Sequence, residues 1–216
     1  MSKRDELYRW HYRALAEKCA KNLEKNRFSV KVVDTKEEAR DYVLSLCREA
    51  SSVGFGGSLT VAELGIFAAL KESGKELLNH GLPDLSPEER NEIRRKQQSC
   101  DLFLTSTNAL TLDGKLVNID GTGNRVNAMA FGPGRTLVVA GGNKIVLDVE
   151  RGIKRIKDYV APMNAKRLGY DTPCAKTGIC ADCSSPQRIC NVTTILEKCP
   201  PASRIEVLIV CEPLGL

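Results

Sequence analysis

Four cysteines lie close together late in the chain, within residues 171–191. They are Cys174, Cys180, Cys183 and Cys190, in the spacing C-x5-C-x2-C-x6-C. The central C-x2-C pair lets two thiolates reach one metal centre from a single turn. The rest of the segment is rich in glycine, proline and serine. We therefore expect little regular secondary structure there, with metal bonds supplying the order.

Three kinds of chemistry are open to these cysteines. An iron–sulfur cluster, most simply [4Fe–4S], takes thiolates from a short loop, and the spacing is close to those of ferredoxins. Structural zinc accepts the same thiolates, although a zinc ribbon normally has two C-x2-C pairs. Disulfides or free thiols are the third reading. We favour the cluster, keep zinc as the alternative, and regard Cys199, which precedes Pro200, as a reserve ligand.

The composition is that of a globular protein. The 216 residues are 42% hydrophobic and 27% charged, and no run approaches the ~18 apolar residues of a membrane span. The charged start, MSKRDELYRW, has no signal-peptide pattern, so we expect a cytoplasmic protein, in which disulfides are rare. The net charge of +5 is spread over helical stretches with alternating apolar residues, which disfavours nucleic-acid binding.

A glycine-rich turn after a predicted strand is the second chemical feature. The strand over residues 51–55 runs into Gly56, Gly57 and Ser58, and a helix is predicted over 59–71. The glycines permit close backbone approach, and the start of a helix offers free N–H groups. Together they predict a site for a phosphate or carboxylate.

Glu63 in the predicted helix has two interpretations. Thr60 and Glu63 fit the S/T-x-x-E pattern of a capping box, in which the carboxylate only caps its own helix. The alternative is a catalytic carboxylate at the mouth of the site, acting as nucleophile or base. We favour the capping box.

Further strands and turns repeat this arrangement. In an open, mostly parallel sheet the turns after strands emerge at one edge, so the loops at 54–58, 105–108, 121–125 and 141–144 should converge in a pocket. The predicted pocket residues are Gly56, Gly57, Ser58, Thr60, Asn108, Thr122, Gly123, Asn124, Arg125, Asn127, Gly142 and Lys144. Amide and hydroxyl donors with two cations suit an anionic small molecule. The alternative is that Asn and Thr only satisfy tight turns.

The chain divides into four parts. We predict an N-terminal helix over 1–27, an α/β domain over 28–170, the cysteine-rich segment over 171–200 and a final strand within 201–216 that returns to the domain. A basic helix, broken at Pro162, leads into the cysteine-rich segment. Trp10 of the N-terminal helix packs either on the domain or on a second subunit, which leaves a homo-oligomer open.

Three stretches resemble a known family: VGFGGSLTVAELGI, DLFLTSTNALTLDGKLVNIDGTGNRVNAMAFGPGRTLVVAGGNKIV and GICADCSSPQRICN. They are similar to the lactate-utilisation domain (LUD, or YkgG-like) family. The likeness covers roughly residues 10–216, and residues 118–145 are its most specific part. It implies the three-layer α/β/α fold of ribose-5-phosphate isomerase, glucosamine-6-phosphate deaminase and coenzyme A transferases.

The resemblance also implies a function. Such proteins are linked to the oxidation of L-lactate to pyruvate, beside iron–sulfur partner proteins, but the family has no agreed catalytic residues to transfer. We therefore expect an iron–sulfur protein of lactate or related 2-hydroxy acid oxidation. A non-redox isomerase or transferase and a zinc-stabilised binding module are the alternatives.

Overall fold

The larger of two sheets is built entirely from parallel strands. In the computed structural model, which describes residues 3–216, its strands are β1 (Ser29–Val33), β2 (Ser52–Phe55), β3 (Glu76–Asn79), β4 (Leu102–Thr105), β7 (Arg135–Gly141) and β10 (Ile205–Val210). Their spatial order is β1-β10-β7-β4-β2-β3. The final strand therefore lies inside the sheet, between β1 and β7, as the expected return of the chain to the α/β domain requires.

The smaller sheet contains the predicted hairpin. Its strands are β5 (Ala109–Thr111), β6 (Leu116–Asp120), β8 (Ile145–Val146) and β9 (Val192–Leu196), in the order β8-β5-β6-β9. Strand β9 pairs antiparallel with β6, although we had placed it in the cysteine-rich segment. Its sequence, VTTIL, is rich in β-branched residues, which favour a strand. The end of that segment is therefore held by a sheet.

The helices are α1 (Lys3–Lys25), α2 (Lys36–Glu49), α3 (Leu59–Glu63), α4 (Ile66–Leu70), α5 (Pro87–Lys96), α6 (Asn124–Ala130), α7 (Val149–Arg155), α8 (Ala161–Arg167) and α9 (Pro173–Thr177). The single helix predicted over 59–71 is two helices, because Gly65 between them has a left-handed φ of 64°. Little regular structure is expected around the cysteines, and between residues 171 and 191 the structure has one short helix, α9, which contains Cys174. Between residues 3 and 216, no helix combines the length and apolar character needed to span a membrane.

The basic helix predicted over 148–168 is continuous but not uniform. A π-helical segment, Ile156–Val160, joins α7 to α8. Pro162 lies in the first turn of α8, just beyond this segment. Proline lacks an N–H and its ring crowds the carbonyl four residues earlier, so a wider turn before it accommodates the ring without breaking the helix.

Both faces of the larger sheet are covered, which gives three layers. Leu137 and Val139 of β7 pack in a cluster with residues of α2, α3 and α4. Val138 and Ala140, which alternate with them, pack in a second cluster with residues of α1 and the smaller sheet. Full burial of such an aliphatic side chain contributes roughly 1.5–3 kcal/mol. The prediction of an α/β fold with a mostly parallel sheet and flanking helices is confirmed.

Trp10 does not pack on the domain. Its side chain is 69% exposed, and Leu7, one turn earlier in α1, is 59% exposed. One of the two alternatives for Trp10 is therefore wrong, and its burial against a second subunit stays a prediction.

Candidate functional site

Four loops meet in one pocket at the carboxyl edge of the larger sheet, with a volume of about 230 Å³. The loop residues in its wall are Gly56, Gly57, Ser58, Thr60, Ser106, Thr107, Asn108, Asp120, Thr122, Asn124, Arg125 and Lys144. We call this the polar pocket. The predicted convergence is present, although one loop follows β6 of the smaller sheet. Sites for drug-sized ligands measure roughly 300–1,000 Å³, so this one suits a small metabolite.

The charged side chains in the wall of the polar pocket are mostly cations. Arg94, Arg125, Lys144 and Arg167 face a single side-chain carboxylate, that of Asp120. The helices that start at the pocket contribute less than we expected, because α3 has five residues and α6 has seven. Side-chain cations are therefore the main source of positive potential in the pocket.

Arg125 is committed to holding the loops together. Its guanidinium donates to Ser106 O at 2.7 Å, to Asn118 Oδ1 at 2.6 Å and to Asn108 Oδ1 at 3.0 Å, and both Nε and Nη2 donate to Asp120 Oδ1. All five N–H groups have acceptors in this set. Only 12% of the side chain is exposed. The sequence predicted that Arg125 binds a ligand. In the structure its hydrogen bonds hold the pocket loops together.

Lys144 lies at the floor of the polar pocket and is 4% exposed. Its Nζ donates to Thr60 Oγ1 at 2.8 Å, Ser106 Oγ at 3.0 Å and Thr107 O at 3.4 Å. Burial lowers the pKa of Lys144 to about 7, and the charges of Arg155 and Arg125 act in the same direction. Lys144 therefore exchanges between ammonium and neutral amine near physiological pH.

Two arginines near the pocket were missed from the sequence. Arg155 of α7 donates to Asn108 O at 2.8 Å and Asn143 O at 3.2 Å, and burial lowers its pKa. Arg94 of α5 lines the pocket with a buried Nε that has no hydrogen-bond partner. Most residues of this helix are charged, so its sequence predicts a solvent-exposed helix and not a pocket wall.

His80 also lines the polar pocket, immediately after β3. Its Nδ1 lies 3.2 Å from Gln97 Oε1, and burial lowers the pKa of its ring. His80 is not among the pocket residues predicted from the sequence. Its position at the carboxyl end of a parallel strand was the signal that could have found it.

Glu63 lies outside the polar pocket, and the predicted capping box is wrong. Ser58 caps α3, because its Oγ accepts from Val61 N. Thr60 is buried within the helix, where it accepts from Lys144. The Glu63 carboxylate accepts from Gly215 N at 2.7 Å and is exposed. Nothing in this position brings Glu63 to a ligand in the pocket.

Three other predicted pocket residues support the loops from outside the wall. Gly123 has a φ of 86° and caps α6. Asn127 donates to Gln98 Oε1 at 2.7 Å. Gly142 packs on α1, where a Cβ would come within 2.6 Å of Tyr12 Cβ. Their contribution is structural in this arrangement.

The four cysteines of the cysteine-rich segment line a second, smaller cavity, which we call the cysteine cavity. Its wall contains Cys174, Cys180, Cys183 and Cys190 together with Lys157, Ala161, Thr172, Ala181, Asp182, Arg188 and Ile189. All nine cysteines of the chain are free thiols. Arg188 organises the loop, donating from Nε to Cys190 O, from Nη1 to Cys183 O and from Nη2 to Asp182.

The donor set of the cysteine cavity fits a metal centre chemically, but the thiols are not drawn together. Four thiols in one wall, none of them in a disulfide, are the ligands that iron–sulfur clusters and structural zinc require. Within residues 3–216, however, no three His, Cys, Asp or Glu side chains are arranged to hold a metal ion. Ligation of one metal centre by all four cysteines would require their thiols to lie closer together than they do here.

Cys199 lies apart from these four cysteines. It is buried in the hydrophobic cluster that contains Ala16, Leu23 and Phe28, and its thiol donates to Ser203 O. Its position does not support the role of reserve ligand. Cys19, Cys47, Cys100 and Cys211 are buried as well, as expected for small core residues.

The polar pocket and the cysteine cavity adjoin. Ala161, Ile189 and Cys190 belong to the walls of both. The cysteine-rich segment therefore lies against the edge of the polar pocket.

Comparisons with known proteins identify the family. The family model of the LUD domain matches residues 16–210. Among solved structures, a DUF162 family protein from Deinococcus radiodurans is similar, with a TM-score of 0.53 and 14% sequence identity over 92% of this chain and 98% of that chain. At that identity the likeness shows a shared fold. A search of the curated proteins gave no match. With most of its length matched by the family model, the chain belongs to the LUD domain family.

Proposed function

We propose that this LUD-domain protein carries an iron–sulfur cluster on its cysteine cavity and binds a small anionic metabolite in its polar pocket, as part of the oxidation of lactate or a related 2-hydroxy acid. The proposal depends on one observation, the wall that the two sites share at Ile189 and Cys190. A cluster held by Cys190 would lie next to a ligand in the polar pocket. Such adjacency favours electron transfer between them.

The chemistry of the polar pocket supports an acid as the ligand. Cationic side chains outnumber carboxylates in its wall, so a carboxylate gains favourable electrostatic energy there. The buried Nε of Arg94 lacks a partner, and a ligand oxygen would relieve the cost of leaving it unpaired. A 2-hydroxy acid also has a hydroxyl group, which Thr122 and Asn124 in the wall can orient.

The cysteine cavity would hold the cluster through Cys174, Cys180, Cys183 and Cys190. A bound cluster supplies one-electron transfer. Oxidation of a hydroxy acid releases an electron pair, so electrons must leave the protein, and iron–sulfur partner proteins are suitable acceptors. Burial raises the pKa of the Cys190 thiol, and the positive charges of Arg188 and Lys157 act in the opposite direction, toward a thiolate ligand.

Metal content tests the cluster. Protein purified without oxygen should be brown and contain iron, and Cys183→Ser should lose both the colour and the iron. Cys199→Ser is the matched control, because this cysteine is buried in the core and should leave the iron content unchanged. Zinc without iron would support the zinc-stabilised module, and absence of both metals would remove the redox function.

Ligand binding tests the polar pocket. Lactate, pyruvate and inorganic phosphate should each be titrated by calorimetry. We expect the carboxylates to bind and Arg94→Gln to weaken them by about tenfold, the effect of losing a charged hydrogen bond of about 1.4 kcal/mol. Arg95→Gln on the exposed side of the same helix is the control. Binding that is equal in both variants would contradict the assignment of Arg94.

A non-redox enzyme is the second candidate function. Lys144 favours this candidate, because its pKa of about 7 leaves part of it as a neutral amine that can react without an iron–sulfur cluster. Turnover or covalent chemistry that persists in Cys183→Ser protein would distinguish this candidate from the first.

A further inference from the structure

Lys144 differs from its neighbour Arg125 in having no carboxylate within ion-pair distance among the described residues. Its Nζ contacts two hydroxyl groups and one carbonyl oxygen, from Thr60, Ser106 and Thr107. No ion pair involves Lys144 among residues 3–216, whereas Arg125 is paired with Asp120. A buried ammonium without a counter-ion is costly, and two neighbouring guanidinium groups raise the cost.

These surroundings are those of an activated amine. A lysine that is desolvated or placed next to other cations becomes a nucleophile near neutral pH, because part of it is uncharged. Arg125 and Arg155 are the neighbouring cations, and Glu63 is the carboxylate whose field opposes them.

We propose that Lys144 forms a covalent iminium with the carbonyl carbon of a small 2-oxo acid bound in the polar pocket. The proposal depends on the pocket function given above, and it adds the chemical class of the ligand and the atom that reacts. The cations that remain in the wall, Arg94 and Arg167, hold the carboxylate while the keto group faces the floor.

The step is balanced without an oxidant or reductant. The Nζ lone pair attacks the carbonyl carbon, and the carbon–oxygen π electrons move to oxygen. A proton passes from nitrogen to that oxygen to give a neutral carbinolamine. The proton that the Lys144 ammonium released on becoming an amine returns to the hydroxyl group, water leaves, and the nitrogen lone pair forms the carbon–nitrogen double bond of the iminium. Thr60 and Ser106 lie within hydrogen-bond distance of Nζ, so their hydroxyl groups can relay the proton.

Reductive trapping tests the iminium. The full-length protein is incubated with pyruvate and cyanoborohydride, and the modified lysine is located by peptide mass spectrometry. We expect a single dominant adduct at Lys144, and no adduct there with lactate, which has no carbonyl group. Lys75→Arg is the matched control, because its amine also donates to two carbonyl groups but lies outside the pocket. This variant should be trapped as fully as the wild type.

Lys144→Arg keeps the charge and should abolish the adduct. Thermal unfolding of this variant shows whether it folds. If it does not fold, the position of the adduct in the wild-type protein, located by peptide mass spectrometry, decides the question. Calorimetric binding of pyruvate without an adduct at Lys144 would overturn the iminium and leave the proposed function standing. If pyruvate neither binds nor forms an adduct, both the iminium and the proposed ligand binding in the polar pocket are wrong. Modification spread over exposed lysines, without a dominant adduct at Lys144, would refute the iminium alone.

Discussion

The polar pocket and the cysteine cavity share a wall but are held in place by different means. The pocket is fixed by buried groups, above all Arg125 and Asp120, whose side chains are 12% and 7% exposed. The cysteine cavity is fixed by Arg188 and by ion pairs of Asp182, which is 69% exposed. Exposed ion pairs contribute roughly 0–1 kcal/mol, whereas breaking a buried one costs several times more. The pocket is therefore held by the folded core, whereas the contacts that hold the cysteine cavity are exposed and individually weak.

The largest effect should come from breaking the framework of the polar pocket. Arg125→Met removes all the bonds to the loops and leaves the Asp120 carboxylate buried without its partner. We expect a loss of about 3–5 kcal/mol in the free energy of unfolding, measured by urea titration with circular dichroism. Arg151→Met, on a side chain that is 68% exposed, should change it by less than about 0.5 kcal/mol. Equal losses in the two variants would show that the buried ion pair of Arg125 stabilises the fold no more than an exposed one.

Lys144 should give the pocket a pH-dependent stability. Its pKa falls from 10.5 in the unfolded chain to about 7 in the fold, so between these values unfolding takes up a proton and stability rises with pH. Below pH 7 both states are protonated and the full cost of burying the charge remains. The free energy of unfolding of Lys144→Met, relative to that of the wild type, should therefore be higher near pH 7 than near pH 9, by about 2 kcal/mol.

The same urea titrations measure this difference. Lys75→Met, outside the pocket, should show no such dependence. A Lys144→Met difference that is constant across this range would show that Lys144 does not titrate between the two pH values.

A smaller and local effect is expected in the cysteine cavity. Arg188→Ala removes the donors to Cys183 O and Cys190 O. Amide exchange over residues 180–191 should quicken by about tenfold, the equivalent of about 1.4 kcal/mol, while global unfolding changes by less than about 1 kcal/mol. Lys176→Ala, an exposed lysine in the same segment, is the control. Global destabilisation would show that the loop is part of the core after all.

The smallest effect is expected at Glu63. Glu63→Gln keeps an oxygen that can accept from Gly215 N, and the side chain is exposed. Unfolding should change by less than about 0.5 kcal/mol and pyruvate affinity by less than about threefold. A loss of turnover in this variant would restore the catalytic interpretation of Glu63.

The strands, the glycine turns and the shared edge of the loops could be predicted from the sequence, because local residue patterns and the geometry of a parallel sheet determine them. Alternating strands and glycine turns place the loops with Ser58, Asn108 and Lys144 at one edge, because parallel strands end there. The place of Arg94 in the pocket wall could not be predicted, because a charged helix is expected to face solvent unless its packing against the sheet edge is known. The role of Arg125 was also hidden, because its acceptors are side chains and carbonyl groups distant in sequence.

The π-helical segment is a partition between the two sites. Ile156 and Val160 face the polar pocket, Lys157 faces the cysteine cavity, and Ala161 just beyond touches both. We expect that metal binding in the cysteine cavity would shift these side chains and so change the binding energy of a ligand in the polar pocket. Thermodynamic reciprocity then requires the ligand to alter metal affinity by the same factor. Equal pyruvate affinities of iron-loaded and iron-free protein would show that the partition does not couple them.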